Sequence, residues 1–276
     1  MPELPEVETT RRALAPVLEG AVIAAVEVRR ERMIRRQPRP ADFSDRLRGR
    51  LVVALRRHGK FLLTDLDGDL VWVLHLGMSG RMSVAAPGTA EPAHTNVVIR
   101  TGRGDEVRFV DPRTFGFTSV LTPEEYALSP LALLGPDAFD DLPRSPRLAA
   151  RLAGRTAPIK ALLLDQRFLA GLGNIYADEV LWRARIAPDR PGGSLTADEV
   201  AVLRRSIRPV LRAALDHGGT SLSDLRYLLP DGRAGEYLPR LAAYGREDEP
   251  CRRCGTPIRR ATLRARSTYW CQGCQR

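Results

Sequence analysis

The residues with the clearest chemical potential stand at the start of the chain, MPELPEVE. An initiator methionine before a small residue such as proline is normally removed, so we expect Pro2 to become the terminus and to present a free secondary amine. A terminal α-amine titrates near ~8, against ~10.4 for lysine, so roughly a tenth of it is unprotonated at neutral pH. This amine is therefore a candidate nucleophile that forms an iminium with a sugar aldehyde carbon.

Two carboxylates accompany this amine. Glu3 is its neighbour and Glu6 follows one helical turn later, so the pair can supply a general acid and an orienting charge. The same residues suit an ordinary helix start, because proline is favoured in the first turn and acidic side chains interact favourably with the helix dipole. Taken alone, these residues favour the helix start over a catalytic site.

All four cysteines lie near the end of the chain, as two CxxC pairs separated by sixteen residues: Cys251 and Cys254, then Cys271 and Cys274. The spacing fits a four-thiolate zinc site built from two turns on a β-hairpin. A redox dithiol or a pair of disulfides is the alternative, and a reducing cytoplasm favours zinc. Four thiolates fill a tetrahedron, so the single zinc ion predicted here is structural and not catalytic.

Arginine dominates the charge of this cysteine segment, which contains no acidic residue. The net charge of the chain is +10, and this balance favours a polyanionic partner, most commonly nucleic acid. A solvated basic face is the alternative, but a zinc-braced arginine finger that contacts phosphates is the preferred interpretation. The arginines are Arg252, Arg253, Arg259, Arg260, Arg264, Arg266 and Arg276.

The hydrophobic pattern changes along the chain. From Pro5 to Gly20, apolar residues recur at three-to-four spacing and predict a helix. Five β-rich runs follow between residues 21 and 121, too closely spaced for crossover helices, and predict an antiparallel sandwich or barrel. The proline-rich stretch 128–147 indicates an interdomain link, and the segments 158–186 and 194–219 are typical of helices.

Composition argues against two classes of protein. The 43% hydrophobic content supports a folded core and not a disordered chain. No run of about eighteen apolar residues occurs, which argues against a transmembrane helix, and the start lacks the pattern of a signal peptide. We therefore expect a cytoplasmic protein without a membrane partner.

Six motifs occur in order along the chain: PELPEVE, HGKFLL, HLGMSG, DPRTFG, GLGNIYADE and the two CxxC pairs. In this combination the sequence resembles the bacterial formamidopyrimidine-DNA glycosylases of the Fpg/endonuclease VIII family, essentially from end to end. The resemblance implies an α+β protein: an N-terminal antiparallel β-sandwich with an N-terminal helix, then a helix–two-turn–helix domain with a C-terminal zinc finger. The expected bounds are 1–130 for the catalytic sandwich, 131–150 for a linker, 151–240 for the helix–two-turn–helix domain and 241–276 for the zinc finger.

The resemblance also implies an activity. Family members are bifunctional DNA glycosylases and AP lyases of base excision repair that remove oxidised purines, 8-oxoguanine and formamidopyrimidines, from damaged double-stranded DNA. Pro2 would attack C1′ and form an imine with the opened sugar, Glu3 would act as an acid on the sugar oxygen, and Glu6 would hold that geometry. Lys60 and Arg266 would serve strand cleavage by β,δ-elimination. A monomer, associated with the nucleoid through DNA, is expected.

The damaged base must leave the stack before C1′ can be reached, and side chains must fill the gap. By resemblance, Met78 and Phe115 act as apolar wedges and Arg113 donates to the orphaned cytosine. Alone, Met78 and Phe115 would equally suit core packing. The other positions that match phosphate contacts of the family are His94, Arg155, Lys160 and Asn174.

Two alternative functions remain open. An endonuclease VIII-like preference for oxidised pyrimidines is the first, because GEYLP and LRYLLPDG around Gly235 depart from the family pattern in the loop thought to close on the extruded base. The PELPEVE start and the three gap-filling residues favour purines instead. The second is a non-catalytic DNA-binding zinc protein, and the intact Pro2-Glu3 start and Lys60 argue against it.

A phosphate-binding surface predicts a steep salt dependence of DNA affinity. Each phosphate neutralised by lysine or arginine releases counterions, so log K should fall linearly with log salt, with a slope of about −0.9 per contact. Gel-shift or anisotropy titrations between low and physiological salt measure this slope. A flat dependence would contradict the predicted phosphate contacts.

Overall fold

A computed structural model of the chain describes residues 2–37, 39–86, 88–222 and 227–276. Met1, whose removal the sequence predicts, lies outside the described residues, as do Leu225 and Arg226 of the LRYLLPDG segment. The chain divides into two compact units. The first unit is Met1–Leu133 with His217–Glu236, and the second is Leu134–Asp216 with Tyr237–Arg276.

The described residues of the first unit form three α-helices and eight strands. In chain order they are α1 (Leu4–Leu18), β1 (Ile23–Val28), α2 (Pro40–Leu47), β2 (Val52–His58), β3 (Phe61–Leu66), β4 (Val71–His75), β5 (Arg81–Ala85), β6 (Thr95–Thr101), β7 (Glu106–Val110), β8 (Phe117–Leu121) and α3 (Pro123–Leu128). Single 3₁₀ turns occur at Glu31–Met33 and Pro130–Leu133.

Helix α1 follows from the local sequence. Glu3 is its N-cap residue and Pro5 lies in its first turn, where a missing amide hydrogen costs nothing. The helix ends at Leu18, shortly before Gly20, whose φ of +71° is readily adopted only by glycine. The buried face of α1 includes Val7 and Leu14, so the helix is held by packing on the sheets as well as by its own start signal.

The eight strands form two antiparallel four-stranded sheets, ordered β1-β6-β7-β5 and β2-β3-β4-β8. Both sheets, α1 and α2 contribute apolar side chains to one core, which contains Phe43, Leu55, Trp72 and Phe109. The buried Trp72 indole donates a hydrogen bond of 2.7 Å to the hydroxyl of Thr118, so its polar atom is satisfied. The predicted antiparallel β-sandwich with an N-terminal helix is confirmed.

Three of the sequence motifs lie at the same end of the second sheet. Strand pairing sets Phe61 opposite His75 and His75 opposite Phe117, with ring centroids 4.7 Å and 5.6 Å apart. The HGKFLL turn leads into β3, the HLGMSG loop follows β4 and the DPRTFG loop precedes β8, so all three emerge at this end. Antiparallel pairing therefore makes neighbours of motifs that are distant in sequence.

The described residues of the second unit form four α-helices: α4 (Ser145–Leu152), α5 (Ile159–Leu164), α6 (Asn174–Ala184) and α7 (Ala197–Leu215), with 3₁₀ turns at Gly192–Ser194 and Leu238–Arg240. Thr196 caps α7, because its hydroxyl accepts from the Glu199 amide while the Glu199 carboxylate accepts from the Thr196 amide. None of the helices formed by the described residues has the length and apolar character needed to cross a membrane.

The helical segment 158–186 is interrupted between α5 and α6. The side-chain amide of Gln166 donates to the main-chain oxygens of Leu164 and Leu172, and its oxygen accepts from the Gly171 amide at 2.9 Å. Gly171 has a φ of +116°, which a helix cannot contain. These local polar bonds replace helical ones, so the break is specified by Gln166 and glycine within an otherwise apolar run.

The cysteine segment forms the predicted hairpin, of β9 (Ile258–Leu263) and β10 (Arg266–Cys271). Arg264 and Ala265 join the strands with φ values of 45° and 61°. Two consecutive left-handed residues match the twist of a tight hairpin, although arginine and alanine are not its usual residues.

The observed units differ in two places from the bounds that the sequence predicts. Helix α4 begins at Ser145, inside the predicted linker 131–150. The segment His217–Glu236 groups with the first unit, although the predicted helix–two-turn–helix domain extends to residue 240. The functional domain bounds therefore stay predictions.

His75 makes the stability of the first unit depend on pH. Burial, with the positive charges of Lys60 and Arg36, lowers the pKa of His75 to about 4. An unfolded histidine takes up its proton near ~6.5, so stability is lost as the pH falls from there toward the lower folded value. The variant His75→Asn has no titrating group at this position. We expect its free energy of unfolding to fall by about 1 to 2 kcal/mol less than that of the native chain between pH 7 and pH 5. Denaturant titrations at the two pH values measure this, and equal losses would contradict it.

Candidate active site and metal centre

The acidic residues of the first helical turn are buried and bonded to a distant segment of the same unit. Glu3 and Glu6 are each 1% exposed. The Glu6 carboxylate accepts from the Glu3 amide through Oε2 and from the Thr220 amide through Oε1, both at 2.8 Å. A methyl group added at Gly219, which has a φ of +83°, would lie 2.7 Å from Glu6 Oε1. Glu6 therefore fixes the start of the chain against residues 219 and 220.

Tyr227 adds a second connection to the same turn. Its hydroxyl donates to the main-chain oxygens of Glu6 and Gly218, each at 3.3 Å. Burial, with the nearby charge of Glu6, raises the pKa of Tyr227 above its usual range. Tyr227 therefore stays protonated and remains a donor at physiological pH.

Lys60 lies in the tight turn between β2 and β3, after Gly59, whose φ is +57°. The residue is only 7% exposed. Its charge contributes to the lowered pKa of His75 at the same end of the sheet. A solvated hairpin lysine would be exposed, so this burial disfavours the ordinary alternative, and the role in strand cleavage stays a prediction.

The three predicted gap-filling residues project from the HLGMSG and DPRTFG loops. Met78 and Phe115 are 40% and 41% exposed, which disfavours the core-packing alternative for both. The Arg113 guanidinium lies 4.5 Å from the centroid of the Phe115 ring. His94 is exposed just before β6, with a left-handed φ of 66°. The first unit thus presents these side chains at its surface.

Lys160 occupies a different environment from the one its predicted phosphate contact requires. It is 1% exposed and pairs with Asp178 at 2.7 Å. Its Nζ also donates to the Ser267 oxygen and the Thr268 hydroxyl, both at 2.9 Å. Burial raises the pKa of Asp178 to about 7 against the opposing effect of Lys160, and the Tyr269 amide donates to the same carboxylate. Lys160 therefore connects α5 and α6 to β10, and its phosphate contact stays a prediction.

Two of the remaining predicted residues of the second unit, Arg155 and Arg266, lie on a shared basic face. Asn174 begins α6, and its side-chain amide donates to the main-chain oxygen of the second residue of β10 at 2.8 Å. Arg155 and Arg266 are exposed. Together with Lys160 and Arg264 they line a cavity of about 480 Å³. Guanidinium groups grouped in this way suit phosphate oxygens.

The four cysteines converge at the base of the hairpin. Their sulfur atoms all lie within 4.8 Å of one another, and the Sγ atoms of Cys254 and Cys271 are 3.4 Å apart. All four are free thiols, which disfavours the disulfide alternative. Tetrahedral zinc bound at ~2.3 Å needs sulfurs about 3.8 Å apart, so this thiolate set fits the ion.

A tryptophan supports the cysteine cluster from α6. The Trp182 indole donates to the Cys251 sulfur at 3.3 Å, and the Arg253 guanidinium lies 4.2 Å from the centroid of the same indole ring. Hydrogen bonds of this kind orient a metal ligand. The cluster is therefore anchored to the helices of the second unit.

Five of the seven arginines of the hairpin module fall into two groups. Arg252, Arg253 and Arg260 are engaged within the second unit, by main-chain oxygens, the Trp182 ring and Glu247 respectively. Arg264 and Arg266, at the hairpin turn, are exposed. The turn is therefore the part of the module best placed for an anionic partner.

Sequence reasoning did not select several residues that hold these groups in place. They are Ser79, Asp111, Asp178, Thr220 and Tyr227. Three of the five lie inside the quoted motifs: Ser79 and Asp111 in loops, and Asp178 in helix α6. The available signal was a polar residue within an otherwise apolar or glycine-rich motif. Thr220 and Tyr227 act through tertiary contacts and carry no local signal.

Three family models of known proteins match successive parts of the chain. Residues 1–118 match the family model of the formamidopyrimidine-DNA glycosylase N-terminal domain, and residues 134–225 match that of the formamidopyrimidine-DNA glycosylase H2TH domain. Residues 248–276 match the zinc finger found in FPG and IleRS. The three models follow one another in the order that the sequence motifs predict.

Relatives that match over the whole length of the chain have the same description as these family models. The chain is 44% identical to the formamidopyrimidine-DNA glycosylase of Ruegeria pomeroyi and 43% identical to that of Gluconobacter oxydans, with 100% of each chain covered. Among solved structures, MutM (Fpg) of Thermus thermophilus is 41% identical with a TM-score of 0.89, over 99% of this chain and 98% of that one. Lactococcus lactis Fpg in complex with abasic-site DNA is 30% identical with a TM-score of 0.90, over 100% of both chains. The chain belongs to the formamidopyrimidine-DNA glycosylase family.

Proposed function

We propose that this protein is a bifunctional DNA glycosylase and AP lyase of base excision repair. It excises oxidised purines, 8-oxoguanine and formamidopyrimidines, from damaged double-stranded DNA and then cuts the strand. Complexes of the Lactococcus lactis relative with DNA containing Fapy-dG or an abasic site support this substrate class. The proposal includes one structural zinc ion, a monomeric protein and a cytoplasmic, nucleoid-associated location.

The buried amino terminus carries the proposal. Chain ends are commonly loose, but here Glu6 binds the Glu3 amide and the Thr220 amide, so the residues next to Pro2 are held in one place. A terminal amine in a fixed position meets the geometric requirement for a nucleophile before its pKa is considered. A merely acidic helix start would not need this bond to residue 220.

The chemistry follows from the secondary amine. The lone pair of the Pro2 nitrogen attacks C1′ while the bond from C1′ to the damaged base breaks; the electron pair of that bond leaves with the base, which takes up a proton, and the attacking nitrogen loses its own hydrogen. The nitrogen lone pair then opens the sugar ring while Glu3 protonates the ring oxygen. The nitrogen carries two carbon substituents already, so the product is an iminium cation. That positive charge acidifies the C2′ hydrogen, whose loss expels the 3′ phosphate, and a second elimination expels the 5′ phosphate.

Lys60 and Arg266 support the elimination steps. Lys60 sits in a closed turn where its ammonium can bind a phosphate and donate a proton to a leaving group. Arg266 is exposed on the basic face of the second unit, and guanidinium hardly gives up a proton. We therefore assign Arg266 to phosphate binding.

The metal centre has a structural role in this scheme. Zinc at the four cysteines would brace a two-stranded hairpin that buries too little apolar surface to be stable alone. Hydrogen bonds from Trp182 to the Cys251 sulfur and from Lys160 to the Ser267 oxygen connect the hairpin to the helices. These bonds help to hold the turn that carries Arg264 and Arg266.

Borohydride trapping tests the nucleophile. Incubation with an 8-oxoguanine·cytosine duplex and reductant should convert the iminium of the native chain into a stable covalent adduct. We expect Pro2→Gly to bind damaged DNA but to lose strand cleavage by on the order of 10²-fold or more. Denaturing gels and single-turnover kinetics measure the two effects.

Pro5, in the first turn of α1, provides a matched control for Pro2. Pro5→Gly makes the same substitution within the first turn of α1 and leaves the terminal amine intact. It should retain the trapped adduct. Cleavage by Pro2→Gly at the native rate would refute the terminal-amine mechanism, and an absent adduct in the native chain would favour a non-catalytic binding protein.

Removal of the metal tests whether DNA binding depends on the cysteine site while the first unit folds without it. A strong chelator should abolish DNA binding while the β-sandwich of the first unit stays folded, because the four thiolates lie wholly in the second unit. Gel shifts measure binding and circular dichroism measures folding, and added zinc should restore affinity. Undiminished binding by the metal-free chain, or loss of the β-sheet signal, would contradict this expectation.

A further inference from the structure

The loops that carry Met78 and Phe115 combine exposed tips with fully buried bases. Met78 is 40% exposed, yet the next residue, Ser79, is 1% exposed. Phe115 is 41% exposed, and Asp111, at the start of the same DPRTFG loop, is 0% exposed. The exposed side chains proposed to enter the DNA stack are therefore carried by loops whose neighbouring residues, Ser79 and Asp111, are buried.

The Asp111 carboxylate binds both loops at once. Its Oδ1 accepts from the Ser79 hydroxyl at 2.6 Å and from the Arg113 amide at 3.1 Å. Its Oδ2 accepts from the Gly116 amide at 2.8 Å. Because a carboxylate only accepts hydrogen bonds, it can satisfy donors from the two loops simultaneously. One side chain thus links the residues on either side of Met78 and Phe115.

Glycines bring the two loop backbones into direct contact. A methyl group on Gly77 would lie 2.4 Å from the Gly116 nitrogen and 2.5 Å from the Phe115 carbonyl carbon. A methyl group on Gly116 would lie 2.9 Å from the His75 oxygen and 2.6 Å from the Phe109 ring. No side chain fits at Gly77 or Gly116, so the two loop backbones pack directly against each other.

The main chain of Asp111 extends the linkage to a third segment. Its amide donates to the main-chain oxygen of His94 at 3.1 Å, and its oxygen accepts from the side-chain amide of Asn96 at 2.9 Å. His94 is the exposed residue before β6 for which a phosphate contact is proposed. Asp111 therefore lies where three DNA-facing segments of the first unit meet.

We propose that Asp111 is a positioning residue that joins the Met78 loop and the Arg113–Phe115 loop into one rigid wedge for base extrusion. The inference rests on the proposed function, in which these side chains fill the gap left by the damaged base. Asp111 touches no substrate and acts through the tips of the loops. Its carboxylate, joined to Ser79, makes Met78 and Phe115 enter the stack together and not one at a time.

An aspartate suits this position better than its isostere. Asparagine has the same shape but replaces one acceptor by an NH₂ donor, so Asp111→Asn would set that donor against the Gly116 amide or the Arg113 amide, neither of which can accept. A buried donor left without an acceptor costs enough to change a rate roughly tenfold. Ser79→Ala removes only the bond between the loops and leaves the bonds inside the DPRTFG loop intact.

The experiment compares two substrates. Single-turnover base excision from a paired 8-oxoguanine·cytosine duplex requires extrusion against base pairing, whereas strand cleavage at a preformed abasic site does not, because extrusion costs least where pairing is absent. We expect Asp111→Asn and Ser79→Ala to slow the first reaction roughly tenfold and the second less than about twofold. Equal slowing of both reactions would overturn the positioning role.

The matched control is Asp137→Asn in the second unit. Asp137 is also buried, at 4% exposure, and its Oδ1 also accepts two loop amides, those of Phe139 and Asp140. It should leave the ratio of the two rates unchanged. Thermal unfolding of each variant checks stability, and if Asp111→Asn does not fold, Ser79→Ala decides alone.

A double-mutant cycle separates this inference from the function on which it rests. In the Met78→Ala background, Ser79→Ala should have little further effect on base excision, because a residue that acts through Met78 has nothing left to position. Additive losses would overturn the inference. If Met78→Ala and Phe115→Ala both excise at the native rate, the wedge role itself fails, whatever Asp111 does.

Discussion

The position of the amino terminus depends on the carboxylate of Glu6. This side chain accepts one hydrogen bond from the Glu3 amide and one from the Thr220 amide, both at 2.8 Å, while Gly219 leaves just enough space for it. Without this bond the start of α1 would be an ordinary helix end, free to fray. The proposed iminium chemistry needs a terminal nitrogen that stays where the sugar arrives, and Glu6 supplies that constraint through its bond to Thr220, 214 residues further along the chain.

The same physical device recurs in both units: a buried carboxylate that accepts amide hydrogens from separate segments. In the second unit, Glu179 accepts from the amides of Ala242, Ala243 and Tyr244. Burial raises the pKa of Glu179, and these amide donors oppose that shift because they favour the charged carboxylate. Carboxylates held in this way fix loops that lack regular secondary structure. Polar bonds on an apolar scaffold therefore hold the Met78 and Phe115 loops, for which DNA contacts are predicted.

The fold and the metal centre were largely predictable from the sequence because their signals are local. Helix periodicity after Pro5, alternating β-runs divided by turns, and two CxxC pairs each specify their own geometry. The partners of Glu6, Lys160 and Asp111 were not predictable, because they come from residues far along the chain. Lys160 shows the limit most clearly: the family resemblance implies a phosphate contact for it, but its partner Asp178 and its burial emerge only from the packing of α5, α6 and β10.

The indole beside the metal centre has a practical consequence. Trp182 donates to the Cys251 sulfur at 3.3 Å and is stacked by Arg253, so its excited state lies within contact of a ligand atom whose electron density changes when a cation is bound. Emission from Trp182 should therefore change when a metal ion binds the four cysteines, and this change can be followed without an attached dye.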